Sequence, residues 1–146
     1  MKYQRLISHR GNLHGPNPDI ENSPSAIELA VSKGFDCEID LWEKDKKIFL
    51  GHDYPQYEIN LKFLEDLNQF IWIHCKNLSA INFLIERDLF NFFWHEKDKF
   101  TLTSKGYIWT YPNNEYDKNS VIVNLEAGLK LKKECYGICS DYVSEY

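Results

Sequence analysis

Phe35-Asp36-Cys37-Glu38-Ile39-Asp40-Leu41-Trp42 is the stretch on which the fold turns. It is rich in apolar and aromatic residues and reads as a strand. Side chains alternate along a strand, so Glu38 and Asp40 point to one face and Cys37 and Ile39 to the other. Two carboxylates on one face of a buried strand are costly unless something cationic compensates. A divalent ion with oxygen ligands is the simplest compensation. The other reading is a solvent-facing edge strand whose acids stay in water.

Working outward, residues 6–9 form a first strand, followed by a Gly-, Pro- and Asn-rich loop over 11–19. Ser23 is placed to cap a helix with Pro24 at its first position, Ile27, Ala30 and Val31 as its apolar stripe and Gly34 as its stop. Residues 44–47 turn, and 48–52 return as a strand. A short helix is expected over 61–67 and a third strand over 70–76. Ser79 is expected to cap a further helix with Ile81, Leu84, Ile85 and Leu89 on one face. Beyond it, short strands are read over 92–94, 100–103, 107–111, 121–123 and 138–140, with a helical turn over 130–134. Strands alternating with helices predict an α/β fold with right-handed crossovers. A complete (β/α) barrel usually needs ~200 residues or more, and this chain has 146. The expectation is therefore a trimmed TIM-like barrel with mostly parallel strands and fewer outer helices, a single domain over 1–146.

Composition narrows the function. Hydrophobic residues make up 43% of the chain, enough for a core and against disorder. The net charge is -5 and no dense basic block occurs, which argues against nucleic acid as a partner. Cys37, Cys75, Cys135 and Cys139 lack paired zinc-site spacing and read as reduced thiols. No leader-like N-terminus and no membrane-length apolar run is visible, so a soluble, cytoplasmic protein that does not engage membranes is expected.

The remaining polar groups cluster at predicted strand ends, where barrels place active sites. His9-Arg10 ends the first strand, and Gly11 lets the backbone turn. Gly51-His52-Asp53 ends the returning strand, and Asp53 is placed either to orient His52 or simply to tip a polar turn. Trp72, His74 and Lys76 share one face of the third strand. His95 and Glu96 read as a solvated turn or as pocket lining. Trp109 and Tyr111 share a face and read equally as a substrate wall or as core.

His9-Arg10-Gly11, Glu21-Asn22-Ser23, Glu38-Ile39-Asp40 and Gly51-His52-Asp53 occur in order. As a set they resemble the glycerophosphodiester phosphodiesterase family, in the wider group that includes phosphatidylinositol-specific phospholipase C. The resemblance runs from His9 to Asp53 and fades beyond Lys76, with Gly137-Ile138-Cys139-Ser140-Asp141 faintly similar to the family's closing strand. It implies a phosphoric diester hydrolase acting on a small, soluble, glycerol-linked phosphodiester, in many members through a cyclic phosphate. It implies His9 and His52 as the acid-base pair and Arg10 and Lys76 as phosphate contacts. Glu38 and Asp40 would hold Mg²⁺ or Ca²⁺, and Glu21 would be a further ligand or a support for Arg10. Where the family carries an acid two residues before its third-strand lysine, this chain has His74. As a metal ligand, that imidazole shifts preference towards Mn²⁺ or Zn²⁺.

Two other readings follow from the same residues. One is a non-catalytic phosphate-binding module derived from that family, which would need Arg10 and Lys76 but not two histidines. The other is a purely structural domain. The shortened barrel also predicts a homodimer that covers exposed sheet edges.

Overall fold

The computed structural model describes residues 2–146. Ten strands form one sheet: β1 (Arg5–His9), β2 (Asp36–Lys44), β3 (Lys47–Leu50), β4 (Tyr57–Ile59), β5 (Ile71–Cys75), β6 (Asn91–Phe93), β7 (Phe100–Leu102), β8 (Ile108–Thr110), β9 (Ser120–Val123) and β10 (Gly137–Ser140). Eight follow one another in the order β4-β3-β2-β1-β10-β9-β8-β7, and β5 and β6 branch from β2. The branch arises because β2 is long. Its first residues pair with β1 (His9 beside Glu38), its last pair antiparallel with β3, and β5 runs parallel along its other edge, setting Asp40 beside His74.

The trimmed TIM-like barrel is not what forms. The sheet is mixed, with antiparallel pairings at β2–β3, β3–β4 and β7–β8, and it curls strongly into a half-barrel. Among the described residues, only three short α-helices accompany it: α1 (Pro24–Ser32), α2 (Leu61–Asp66) and α3 (Leu78–Ile85). The reason is the second half of the chain. The connections between β8 and β9 and between β9 and β10 hold no helix. The first of them carries Pro112 and the left-handed Asn113, the second Gly128 with φ +74°, and each interrupts helical geometry. The helical turn expected over 130–134 is likewise absent. A strand not foreseen, β4, adds a third member to the hairpin that carries residue 52.

Local signals placed the first two helices correctly. Ser23 caps α1, its hydroxyl accepting from the Ala26 amide at 3.2 Å, with Pro24 in the first turn. Asn60 does the same for α2. For α3 the cap is Asn77, not Ser79, because Asn77 Oδ1 accepts from the Ala80 amide at 3.0 Å while its amide group bonds the Glu43 carbonyl on β2. That helix stops at Ile85, so Leu89 lies outside it, and Ile85 faces solvent while Leu84 is buried.

The sheet buries both faces. On the convex side Ile27, Ile39, Leu41, Ile73 and Leu84 pack beneath the helices. On the concave side Ile7, Trp72, Phe93, Trp109 and Val121 fill the curl. Cys37, Cys75, Cys135 and Cys139 are all buried and unpaired. Among the described residues, no helix is long and apolar enough to cross a membrane.

Candidate active site

Every strand of the parallel set ends at the same rim, and the polar residues gather there, outside the strands' carboxyl ends. His9 ends β1, Glu38 and Asp40 stand on the concave face of β2, His74 ends β5 with Lys76 just beyond it, and Asp141 follows β10. Of these, His9, Glu38, His74 and Lys76 open, together with Arg10 and His52, on a cavity of about 390 Å³.

The turn after β1 is built for this site. Arg10 sits in the left-handed region at φ +58°, and Gly11 follows at φ +88°, where a Cβ would meet Ala26 Cβ at 2.9 Å. A side chain at position 11 would push α1 away from the strand. Gly51 plays the equivalent part before His52: a Cβ there would run into the Tyr54 carbonyl.

The carboxylates sit in one connected network. His9 Nδ1 lies 2.7 Å from Asp141 Oδ1, which also accepts from Asn12 Nδ2 at 2.8 Å. Asn12 Nδ2 donates again to Glu21 at 3.0 Å, and Glu21 accepts from Arg10 Nη1 at 3.3 Å. Arg10 Nε lies 3.3 Å from Asp40 Oδ2 as an ion pair without hydrogen-bond geometry, and Asp40 Oδ2 accepts from Asn22 Nδ2 at 2.8 Å. Asn22 Oδ1 in turn accepts from the Asp40 amide, with Asn22 itself left-handed at φ +61°. Lys76 Nζ completes the ring, 3.9 Å from Asp40 Oδ1.

Burial sets the charge states. Glu38, 2% exposed, is pushed up to about 7, first by burial and then by the charge of Asp40. Burial also acts on Asp40, but the close approach of His74 and the charges of His74, Arg10 and Lys76 overcome it and hold that carboxyl well below the usual range. Burial opposes the charged form of His9, yet the bond to Asp141 and the charge of Glu38 raise it overall. Asp141 is likewise buried but held low by His9. It therefore stays ionised, accepts from His9 Nδ1–H and leaves Nε2, 3.8 Å from Glu38 Oε2, as that ring's free nitrogen.

The donor set fits a divalent cation. Glu38, Asp40 and His74 each offer one ligand atom, all within 4.8 Å of one another. Glu38 Oε2 and Asp40 Oδ1 are buried without a hydrogen-bond partner. His74 Nε2 lies 2.8 Å from the His95 carbonyl, which only accepts, so Nε2 carries the hydrogen. His74 Nδ1 then faces Asp40 Oδ1 at 3.2 Å and Glu38 Oε1 at 4.0 Å. A proton or a metal ion must lie between that nitrogen and those oxygens. A carbonyl that fixes the outer nitrogen of a ligating histidine is the usual support of a metal-bound imidazole.

Each residue singled out from the sequence has a definite place. His9, Arg10, Glu38, His52, His74 and Lys76 line the one cavity. Glu21 accepts from Arg10 Nη1 and lies outside the cluster of Glu38, Asp40 and His74. His52 stands at the exposed edge, its Nδ1 2.8 Å from Asp53 Oδ1. Trp109 is both core and wall: it is buried at 4% exposure and lines the cavity with Tyr111. His95 and Glu96 line it too. Sequence reasoning missed the roles of Asn12, Asn22 and Asp141. The usable signals were an Asn before Ser23-Pro24, a residue type that tolerates left-handed backbone, and an Asp closing the last strand.

Neither protein-family models, curated proteins nor solved structures yield a match to this chain, and the chemistry of the site is read from its own geometry.

Proposed function

We propose that this chain is a metal-dependent phosphodiesterase that cleaves a small phosphodiester by histidine acid-base catalysis. The observation that carries the reading is the company in one cavity: two imidazoles, each held through Nδ1 by an aspartate, beside Arg10, Lys76 and the Glu38–Asp40–His74 donor set. A binding module has no use for two oriented imidazoles.

Glu38, Asp40 and His74 would hold the ion, with the His95 carbonyl fixing His74. A divalent ion bound there supplies positive charge opposite the phosphoryl oxygens as they gain charge. Arg10 and Lys76 bind phosphate oxygens, Arg10 being aimed by Glu21 and Asp40. The attacking hydroxyl, from the substrate's neighbouring carbon or from water, gives its proton to one imidazole. As the new P–O bond forms, the P–O bond to the leaving alcohol breaks, and the other imidazole returns a proton to the departing oxygen. If the nucleophile was the substrate's own hydroxyl, water opens the cyclic ester by the same exchange in reverse.

The test is phosphorus NMR of the protein with glycerol-, nucleoside- and sugar-linked phosphodiesters, with Mg²⁺, with Mn²⁺ and with chelator. Metal-dependent turnover is expected, reduced ~10²–10⁴-fold in His9→Ala. Tight phosphate binding with no turnover of any ester sinks the enzyme reading and leaves the phosphate-binding module.

A further inference from the structure

Asn22 grips Asp40 at two points. Its Oδ1 accepts from the Asp40 amide at 2.9 Å, and its Nδ2 donates to Asp40 Oδ2 at 2.8 Å. The carboxamide fits only one way round, with its acceptor towards the amide and its donor towards the carboxylate. Asn22 is 1% exposed, and its own amide donates to the Arg10 carbonyl at 2.9 Å, which ties it to the turn after β1. It holds this place in the left-handed region at φ +61°, a conformation that costs a non-glycine residue and persists where the surroundings impose it.

A purely structural role needs less than this. An acceptor alone satisfies the buried Asp40 amide, and Asn22 adds a donor to the carboxylate beyond it. That donor settles which oxygen of Asp40 is free. Oδ2 is taken by Asn22 Nδ2. Oδ1 has no hydrogen-bond partner and lies 3.2 Å from His74 Nδ1, in the group formed with Glu38. A divalent ion coordinates oxygen at about 2.0–2.6 Å, closer than a hydrogen-bonded water approaches, and Glu38 and His74 line the cavity from which it enters. We infer that Asn22 is a positioning residue for the ion: it holds Asp40 by its amide and by Oδ2, so that Oδ1 alone is offered as a ligand. This rests on the metal-dependent reading of the same site and names the residue that sets how Asp40 binds.

The test is calorimetric titration of the protein with Mn²⁺, and visible absorption with Co²⁺, whose spectrum reports the number and geometry of its ligands. Asn22→Gly accepts the left-handed backbone and removes both side-chain bonds. It is expected to bind Mn²⁺ about 10–100-fold more weakly, the usual cost of losing a group that orients a metal ligand. Its Co²⁺ spectrum is expected to change, since Oδ2 becomes free to join Oδ1. Asn22→Asp keeps the shape, the backbone and the acceptor but opposes Oδ2 with a carboxylate; it too is expected to change the spectrum, and it carries the test alone if Asn22→Gly does not fold. Ile138→Ala is the control: it removes buried volume in a separate cluster and is expected to leave affinity and spectrum unaltered. Unchanged affinity and spectrum in the Asn22 variants overturn the inference and leave the metal site standing. An equal loss of affinity in Ile138→Ala overturns it too, because the effect then follows stability and not position. If the unaltered chain binds neither ion, the inference falls together with the metal-dependent reading.

Discussion

The two halves of the chain build the two walls of the cavity by different means. Up to Ile85, strands β1, β2 and β5 are backed by helices, and the convex core beneath them is aliphatic, with Ile39, Leu41, Ile73 and Leu84 at its centre. Beyond Ile85 the described residues contain one 3₁₀ turn and no α-helix. There the outer cover comes from two loops: Tyr116 from the β8–β9 connection and Leu129 and Leu131 from the β9–β10 connection pack over Ile122, Cys135 and Ile138 where helices lie in the first half. The first half supplies nearly all the charge at the site, and the second supplies its aromatic wall. A sheet face needs apolar cover of the right area, and a well-packed loop provides it as a helix does.

The largest expected effect tests the charged half. Asp40→Ala leaves Arg10, His74 and Lys76 facing one another around a single buried carboxylate, and is expected to cost about 3–5 kcal/mol. Denaturant unfolding measures it. A loss below ~1 kcal/mol would mean that the network is solvated and that the charged wall is no more rigid than the other.

A matched pair compares the two covers directly. Ile39 and Ile138 are both fully buried, one on the helix-backed side and one beneath the loops. Truncation of a buried Ile to Ala costs about 2–5 kcal/mol, less where the surroundings collapse into the space. Ile39→Ala should fall at the upper end of that range and Ile138→Ala at the lower. Equal losses would show that the loops pack as firmly as the helices.

The pH dependence isolates Glu38. Its carboxyl titrates near 4.5 when unfolded and is raised to about 7 in the fold. The folded state holds the proton longer, so the stability from this group is complete below about 4.5 and declines as pH rises towards 7. Metal-free protein should show that decline, and Glu38→Gln should flatten it. Mn²⁺ competes with the same proton, so it should raise the melting temperature more at pH 8 than at pH 6. An equal rise at both would detach Glu38 from the ion.

The smallest effect belongs to the outer face of α3. Ile85 is 64% exposed, and Ile85→Ser should change stability by no more than about 0.5 kcal/mol. A larger loss that grows on dilution would mark that face as covered by a second copy of the chain.

The polar side of the site was legible because alternation along a strand is a local rule. It put Glu38 with Asp40, and Trp72 with His74 and Lys76, on one face each, and the structure keeps those assignments. The partner of His9 was not legible, since Asp141 lies 132 residues away and meets it only because β10 pairs with β1. His95 was ambiguous for the same reason: its ring belongs to the cavity because β6 lies beside β5. The barrel expectation failed by extending the strand–helix alternation of residues 6–85 into a region of short strands and loops, where Pro112, Asn113 and Gly128 interrupt helical geometry.

Sequence alone determined what depends on neighbours a few residues apart: the Ser23 cap, the faces of β2 and β5, and the turn at Gly11. Only the tertiary structure decided what depends on strand order and curl: the mixed half-barrel, the His9–Asp141 pair, the carbonyl that orients His74 and the aromatic wall across from it. Backbone geometry carries side-chain direction along one element, but which elements meet is settled by burying two sheet faces at once, and no short window of residues encodes that.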